Sequence, residues 1–391
     1  MNMQMEILDK IRNIINPYVD NGSVSFGAII ATKDGKEIVR YSYGYQDIEN
    51  NIPYKDTTII RAFSTTKTFT ALATFKCIEM GLFKIDDPIS KYFSTFKNPT
   101  VSLNGKKIPA KRETIVKDLL DMRAGLSYPE LGSDTGAYCI KIDAELAKDE
   151  LTTIEFAEKL GSCPLLFSPG DDYHYSYCAD VLGALIAKTS DMSLRDFFKK
   201  YIIDPLGLKD TDFFVNEENR HRIAKGYITR NGKLEPIEHH SLGITATGVK
   251  TKFESGGAGL FLTLDDLSRY AQCLLNKSEG IVSKETFKKL VEPEYSPNPT
   301  KQDNGNTYYN LMRHMERPDE CQQCCTLGEF GWDGMLGTLI IIDPVNKITF
   351  TAACQSFDEI KWEMVNKVKS EVIKLYKHLQ QKADKRLNQK I

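Results

Sequence analysis

The chain has 391 residues, 41% hydrophobic and 27% charged, with 51 Lys and Arg against 53 Asp and Glu. This balance is that of a folded globular protein and excludes a disordered, collagen-like or coiled-coil chain. A formal net charge of -2 leaves no bulk positive field to hold nucleic acid or an anionic membrane. At about 150 residues per domain, the length predicts two or three domains or one large two-lobed one.

The first segment, MNMQMEILDKIRNIINPYVD, places Met5, Ile7, Leu8, Ile11, Ile14 and Ile15 on one helical face with charges between them. It has no apolar h-region, and no run in the chain approaches the ~20 apolar residues that span a bilayer. The expectation is a mature amphipathic helix in a cytoplasmic protein, with its nine cysteines as thiols rather than a disulfide framework. Next, SFGAIIATKDGKEIVRYSYGY reads as a hairpin turning at Asp34-Gly35. Residues 65–80 follow a helical period, with Phe69, Leu72, Phe75 and Ile78 as candidate buried positions and Gly81 as the stop. Further helices are predicted over 178–189 and 193–201. The stretch 293–327 is irregular, with Pro293, Pro297, Pro299 and Pro318 and a Cys321-Cys324-Cys325 cluster. Beyond it, LGTLIIIDPVNKITFTAACQS reads as two strands joined at Asp343-Pro344-Val345-Asn346, and a closing helix starts near Glu359.

β-rich material at both ends and helix-rich material between predict an α+β fold. One antiparallel sheet, built from 1–60 and 255–391, is flanked by the terminal helices. A mostly helical lobe, 61–254, is inserted between those stretches, with the functional site in the cleft between the lobes.

A serine becomes a nucleophile at neutral pH only beside a base. Ser64-Thr65-Thr66-Lys67 supplies one, because positions three apart share a helical face and Ser64 would open the helix of 65–80. Free N–H groups at that helix start favour developing negative charge. A second S-x-x-K, Ser94–Lys97, precedes Asn98-Pro99, which stops a helix, and reads as a solvated loop. Two other segments join the first. Ser168-Pro169-Gly170 leads through an aromatic run to Tyr175-Ser176-Tyr177 at a helix entry. Gly331-Trp332-Asp333-Gly334-Met335 enters the strand LIIID, its glycines permitting close backbone approach.

In this order, Ser64-x-x-Lys67, Tyr175-Ser176-x and Trp332-x-Gly334 resemble the serine hydrolases of the β-lactamase/penicillin-binding-protein fold, most nearly their class C-like branch, the family VIII carboxylesterases. Leu82–Ile89, Leu119–Leu126, Asp204–Leu208 and Gly256–Thr263 match as well, so the resemblance runs from about residue 24 to 375. It implies Ser64 as acyl-accepting nucleophile, Lys67 as its partner in proton transfer and Tyr175 as shared acid and base. It also implies the backbone N–H groups of Ser64 and Met335 as an oxyanion hole, and Trp332, Asp333, Gly334 and Tyr177 as substrate-binding residues. With reference pKa values of ~10 for tyrosine and ~10.4 for lysine, either Lys67 or Tyr175 fits as acceptor of the serine proton. Two departures bear on substrate: Tyr177 stands where relatives carry asparagine, and Trp332-Asp333-Gly334 replaces Lys-Thr-Gly, removing the lysine that holds a substrate carboxylate. The implied activity is a carboxylesterase on small esters or amides. The alternatives are a β-lactamase or D-amino-acid peptidase, an acyltransferase with the same residues, or a silent binding protein of the same fold.

No metal or organic cofactor is expected. Cys321, Cys324 and Cys325 with His314 are zinc-ligand types, but no second C-x-x-C completes a four-ligand site, so they read as loop thiols near the cleft. His239-His240 reads as solvated loop, and His174, alternating with Tyr175, carries no catalytic role. No G-x-S-x-G surrounds a serine, which disfavours a Ser-His-Asp hydrolase. Lys250 and Lys252 read as solvated charges in a segment near the cleft.

Overall fold

The computed structural model describes residues 3–103, 105–237, 242–278, 280–292, 300–301, 304–321 and 323–388; His239, His240, Pro293, Pro297 and Pro299 lie outside them. The chain opens with α1 (Met3–Asp20). The expected hairpin follows as β1 (Phe26–Lys33) and β2 (Lys36–Asp47), with Asp34 at φ +50° and Gly35 at φ +74°. That left-handed pair is what a two-residue hairpin needs to match strand twist. Short strands β3 (Ile52–Pro53) and β4 (Ile59–Arg61) lead to α2 (Thr66–Glu79). A helical region including α3 (Cys178–Ser190) intervenes before β5 (Phe261–Thr263) and α4 (Leu264–Leu275). The C-terminal part supplies β6 (Thr300–Lys301), β7 (Asn306–Tyr309), β8 (Met312–Met315), β9 (Phe330–Asp333), β10 (Leu339–Asp343) and β11 (Ile348–Ala353). It closes with α5 (Ile360–Asn388).

Nine of these strands form one antiparallel sheet in the order β6-β7-β8-β9-β10-β11-β1-β2-β3. The two ends of the chain meet where β1 pairs with β11, Ala28 opposite Ala353. Alternation along the strands buries both faces. Phe26, Ala28 and Ile30 join Ile340, Ile342 and Ala353 on the front, against α4 and α2, with α3 packed on α2. Ile29 and Ala31 join Leu339, Ile341, Phe350 and Ala352 on the back. There α1 docks through Ile7, Ile11 and Ile15, one face at four-residue spacing, and α5 through Met364, Val365, Val368 and Val372. Each such side chain removed from water contributes about 1.5–3 kcal/mol.

Three expectations change. Helix α2 is buried almost all round, Thr66 to Phe75, rather than along one apolar stripe, because it threads the middle of the helical region. Its buried Thr68 and Thr74 hydroxyls are satisfied by backbone carbonyls of their own helix. The helix predicted over 193–201 runs Leu194–Phe198 and then widens into a π-turn, Lys199–Ile203. The stretch read as irregular carries three strands, β6 to β8, and β7 turns into β8 at Asn310-Leu311 with φ of +50° and +60°. Asn-Leu is not a glycine-marked hairpin turn, so no residue there announces the reversal. Among the described residues no helix is long and apolar enough to cross a membrane.

Candidate active site

Ser64 sits where β4 passes into α2. The strand is fixed on both sides: Arg61 N–H donates to Gln355 Oε1 (3.1 Å), Gln355 Nε2 donates to Arg61 O (3.1 Å), and Ala62 N–H donates to Leu260 O (2.9 Å). Phe63 then takes φ +46°, a conformation costly for a side-chain-bearing residue, and a single 3₁₀ turn, Phe63–Thr65, starts the helix. Phe63, Thr65, Thr66 and Lys67 are buried, whereas Ser64 is only half-buried. The strained entry therefore leaves one hydroxyl at the surface of a fully packed segment.

Lys67, one turn on, is fully buried, and its ammonium donates to Ser64 Oγ (3.1 Å), Tyr128 Oη (3.0 Å) and Gly257 O (2.9 Å). Burial pushes its pKa down to about 8, opposed by Asp180, Cys178 and Asp333. Tyr175 reaches the same point from the loop before α3. Its ring lies 4.7 Å from Lys67 Nζ, its oxygen accepts from Trp332 Nε1 (3.0 Å), and the Ser64 hydroxyl is near enough to lower its pKa. Burial raises the Tyr175 phenol above its ordinary range, and Ser64 and Trp332 oppose the rise. The three side chains expected to meet converge on Lys67: its ammonium donates to the Ser64 hydroxyl and stands by the Tyr175 ring, and Trp332 fixes the phenol.

Two further residues belong to this group and were not anticipated. Tyr128 accepts from Lys67 and packs 5.7 Å, ring to ring, from Tyr175. Its only cue was its place two residues past Gly125-Leu126, a match not read as catalytic. Asp180, in the first turn of α3, is buried, accepts from Ser255 Oγ (2.5 Å) and Gly257 N–H (3.0 Å), and so holds the loop whose carbonyl meets Lys67. Burial raises its carboxyl, and the Lys67 charge opposes that.

The β9–β10 turn is locked onto the residues flanking Ser64. Thr338 Oγ1 donates to Ala62 O (2.7 Å) and lies 2.9 Å from Thr65 Oγ1, while Gly334 N–H donates to Thr338 O (2.8 Å). A Cβ on Gly334 would meet Ala62 O at 2.2 Å, so only glycine permits this approach. Met335 follows, half-buried, and among the described residues neither its N–H nor that of Ser64 has a partner. The expected oxyanion donors therefore lie on two segments that are pinned together.

Other candidates fall elsewhere. Asp333 is not on the Trp332 side of its strand: it pairs with Leu339, a back-face residue, whereas Trp332 pairs with Ile340 on the front. Its carboxylate is held by Arg313 Nη1 (2.8 Å), behind the sheet. Tyr177 is 1% exposed, donates to Asp143 Oδ1 (3.3 Å) and packs edge-on against Tyr128 at 4.7 Å, so it backs that ring instead of lining the site. The substrate-binding expectation for both residues gives way to these positions. His174 Nε2 lies 3.2 Å from Ser127 Oγ and away from Ser64. Ser94 and Lys97 are exposed, as are Lys250 and Lys252, with Lys250 over the Phe214 ring. His314 is stacked 3.6 Å from Tyr309 with its pKa pushed down to about 3 by burial, apart from the thiols. No group of three or more metal-ligating side chains occurs among the described residues.

The Beta-lactamase family model matches residues 11–366. The chain is 26% identical over 347 residues to uncharacterized protein MT1414 of Mycobacterium tuberculosis (strain CDC 1551 / Oshkosh), covering 86% of this chain and 80% of that one. It is 25% identical over 265 residues to esterase EstB of Burkholderia gladioli, covering 63% of this chain and 65% of that one. Among solved structures, EstCE1, described as a hydrolase with promiscuous acyltransferase activity, superposes with a TM-score of 0.80 at 22% identity, over 95% of this chain and 99% of that one. With its strands, its helical insertion and its serine–lysine–tyrosine site in this order, the chain belongs to the beta-lactamase family, a serine hydrolase family in which esterases are among its relatives.

Proposed function

We propose that this protein is a carboxylesterase that acts on small esters or amides through an acyl-enzyme on Ser64. The observation that carries the proposal is the hydrogen bond from Lys67 Nζ to Ser64 Oγ (3.1 Å), with the Tyr175 ring 4.7 Å from the same ammonium. A lysine brought down to about 8 is part neutral near neutral pH, whereas the phenol is held protonated, so the two roles separate. Neutral Lys67 takes the Ser64 proton as Oγ attacks the carbonyl carbon. The oxyanion develops against the N–H groups of Ser64 and Met335. Tyr175 protonates the departing alcohol and recovers its proton from Lys67. Water then adds to the acyl carbon, its proton passing back through Tyr175 and Lys67, and Ser64 leaves with its hydrogen restored.

The third motif supports esters over β-lactams. Trp332 occupies the place of a lysine, and the Asp333 carboxylate is engaged by Arg313 behind the sheet, so no cation of that motif faces a substrate carboxylate. Acyl transfer to an alcohol or amine uses the same residues, and the promiscuous acyltransferase activity of the structurally similar EstCE1 supports it as the second reading. Turnover of p-nitrophenyl butyrate and of nitrocefin, measured on wild type and Ser64→Ala, tests the proposal. Wild type is expected to turn over the ester and little of the β-lactam, and Ser64→Ala neither. Nitrocefin turnover exceeding that of the ester would overturn the substrate class.

A further inference from the structure

Of the nine cysteines, Cys77, Cys139, Cys163, Cys178, Cys273 and Cys354 are buried, while Cys321, Cys324 and Cys325 stand together and are partly exposed. Within that trio one pair is in contact: Cys321 Sγ lies 2.7 Å from Cys325 Sγ. Both thiols line a cavity of about 230 Å³ on the back face of β9, whose walls include Arg313, Asp333, Glu329 and Lys369. The Lys369 ammonium lies 3.6 Å from Cys325 Sγ and is anchored by a buried ion pair with Glu329. A positive group at that distance favours negative charge on sulfur.

We propose that Cys321 and Cys325 form a redox-active dithiol that a two-electron oxidant, a peroxide or a small-molecule disulfide, converts to an intrachain disulfide. The sulfurs need close by less than about 1 Å to reach bonding distance. With a peroxide, the Cys321 thiolate attacks one oxygen and breaks the O–O bond. The hydroxide released takes up the proton that the Cys321 thiol gave up and departs as water, and a sulfenic acid remains on Cys321. Cys325 sulfur then attacks that sulfur and expels hydroxide, which takes the Cys325 proton and leaves as a second water. Two thiols have lost two hydrogens and the peroxide has become two waters. With a small disulfide, Cys321 displaces one thiol and Cys325 displaces the other, so two small thiols are released. Burial pushes the Cys325 thiol up to about 12, and the Lys369 charge opposes that rise. Cys324 is the control within the cluster, exposed like its neighbours but with no sulfur contact among the described residues.

The full chain, treated separately with hydrogen peroxide and with oxidised glutathione and then alkylated, is read by intact and peptide mass spectrometry. The expected result in at least one arm is a loss of about 2 Da, two hydrogens, with Cys321 linked to Cys325, Cys324 still alkylated, and reversal by dithiothreitol. Cys324→Ser keeps the link, and Cys321→Ser and Cys325→Ser each lose the link to the missing partner and retain an alkylatable thiol. The Ser64→Ala variant forms the link as wild type does, which separates this site from ester turnover. Alkylation of both Cys321 and Cys325 in both arms, or a link through Cys324 in wild type, overturns the proposal.

Discussion

On the proposed mechanism, the reactivity of Ser64 rests on a lysine whose pKa burial lowers to about 8. Lys67 is brought down to about 8, so kcat/KM for an ester should rise with pH through an acid limb near 8 as the neutral amine appears. The same lowering has a stability sign. The unfolded lysine titrates near ~10.4 and binds more protons than the folded one between the two values, so stability contributed at this position rises with pH across that window. Tyr128→Phe removes an oxygen that accepts from the Lys67 ammonium, which disfavours the cation; the acid limb should move to lower pH, and a limb that stays in place or moves up would refute the assignment. Replacing Tyr175 by Phe should lower turnover ~10²–10⁴-fold, read by steady-state kinetics. At this scale the sequence was partly legible. Ser64 and Lys67 are tied by helix spacing, and Tyr175 came through the resemblance of its motif. Tyr128 and Asp180 have no spacing relation to Ser64 and meet Lys67 only through the fold. Tyr177 and Asp333 were misplaced because a motif position does not say which face its side chain takes.

At the scale of elements, the site depends on two segments far apart in sequence, the β4–α2 junction and the β9–β10 turn, joined through Thr338 and Gly334. Gly334→Ala would place a methyl 2.2 Å from Ala62 O and force the turn away from Ser64. The expected loss, with the Met335 donor displaced, is ~10²–10³ in kcat at little change in KM. Wild-type kcat in that variant would show that the turn does not carry the oxyanion. Elements were legible where their turns announce themselves, as Asp34-Gly35 does. They were hidden where the turn is Asn310-Leu311, which adopts the same left-handed backbone without glycine.

Across the whole molecule, the terminal helices cover the back of the sheet and the proposed catalytic groups stand on its front. The two tasks should separate experimentally. Ile11→Ala opens a void between α1 and the sheet and should cost ~2–5 kcal/mol in denaturant unfolding, with kcat/KM of the folded protein unchanged. A sheet assembled from both chain ends could be anticipated from where the β-rich runs lie. Its nine-strand extent could not, because β6 to β8 are short and rich in polar and aromatic residues. The claim on which the rest depends is that Ser64 is the group that becomes acylated. An active-site-directed fluorophosphonate followed by peptide mapping tests it most directly. One adduct on Ser64 in wild type, absent from Ser64→Ala, is the predicted result; no adduct, or one carried by another residue, would contradict it.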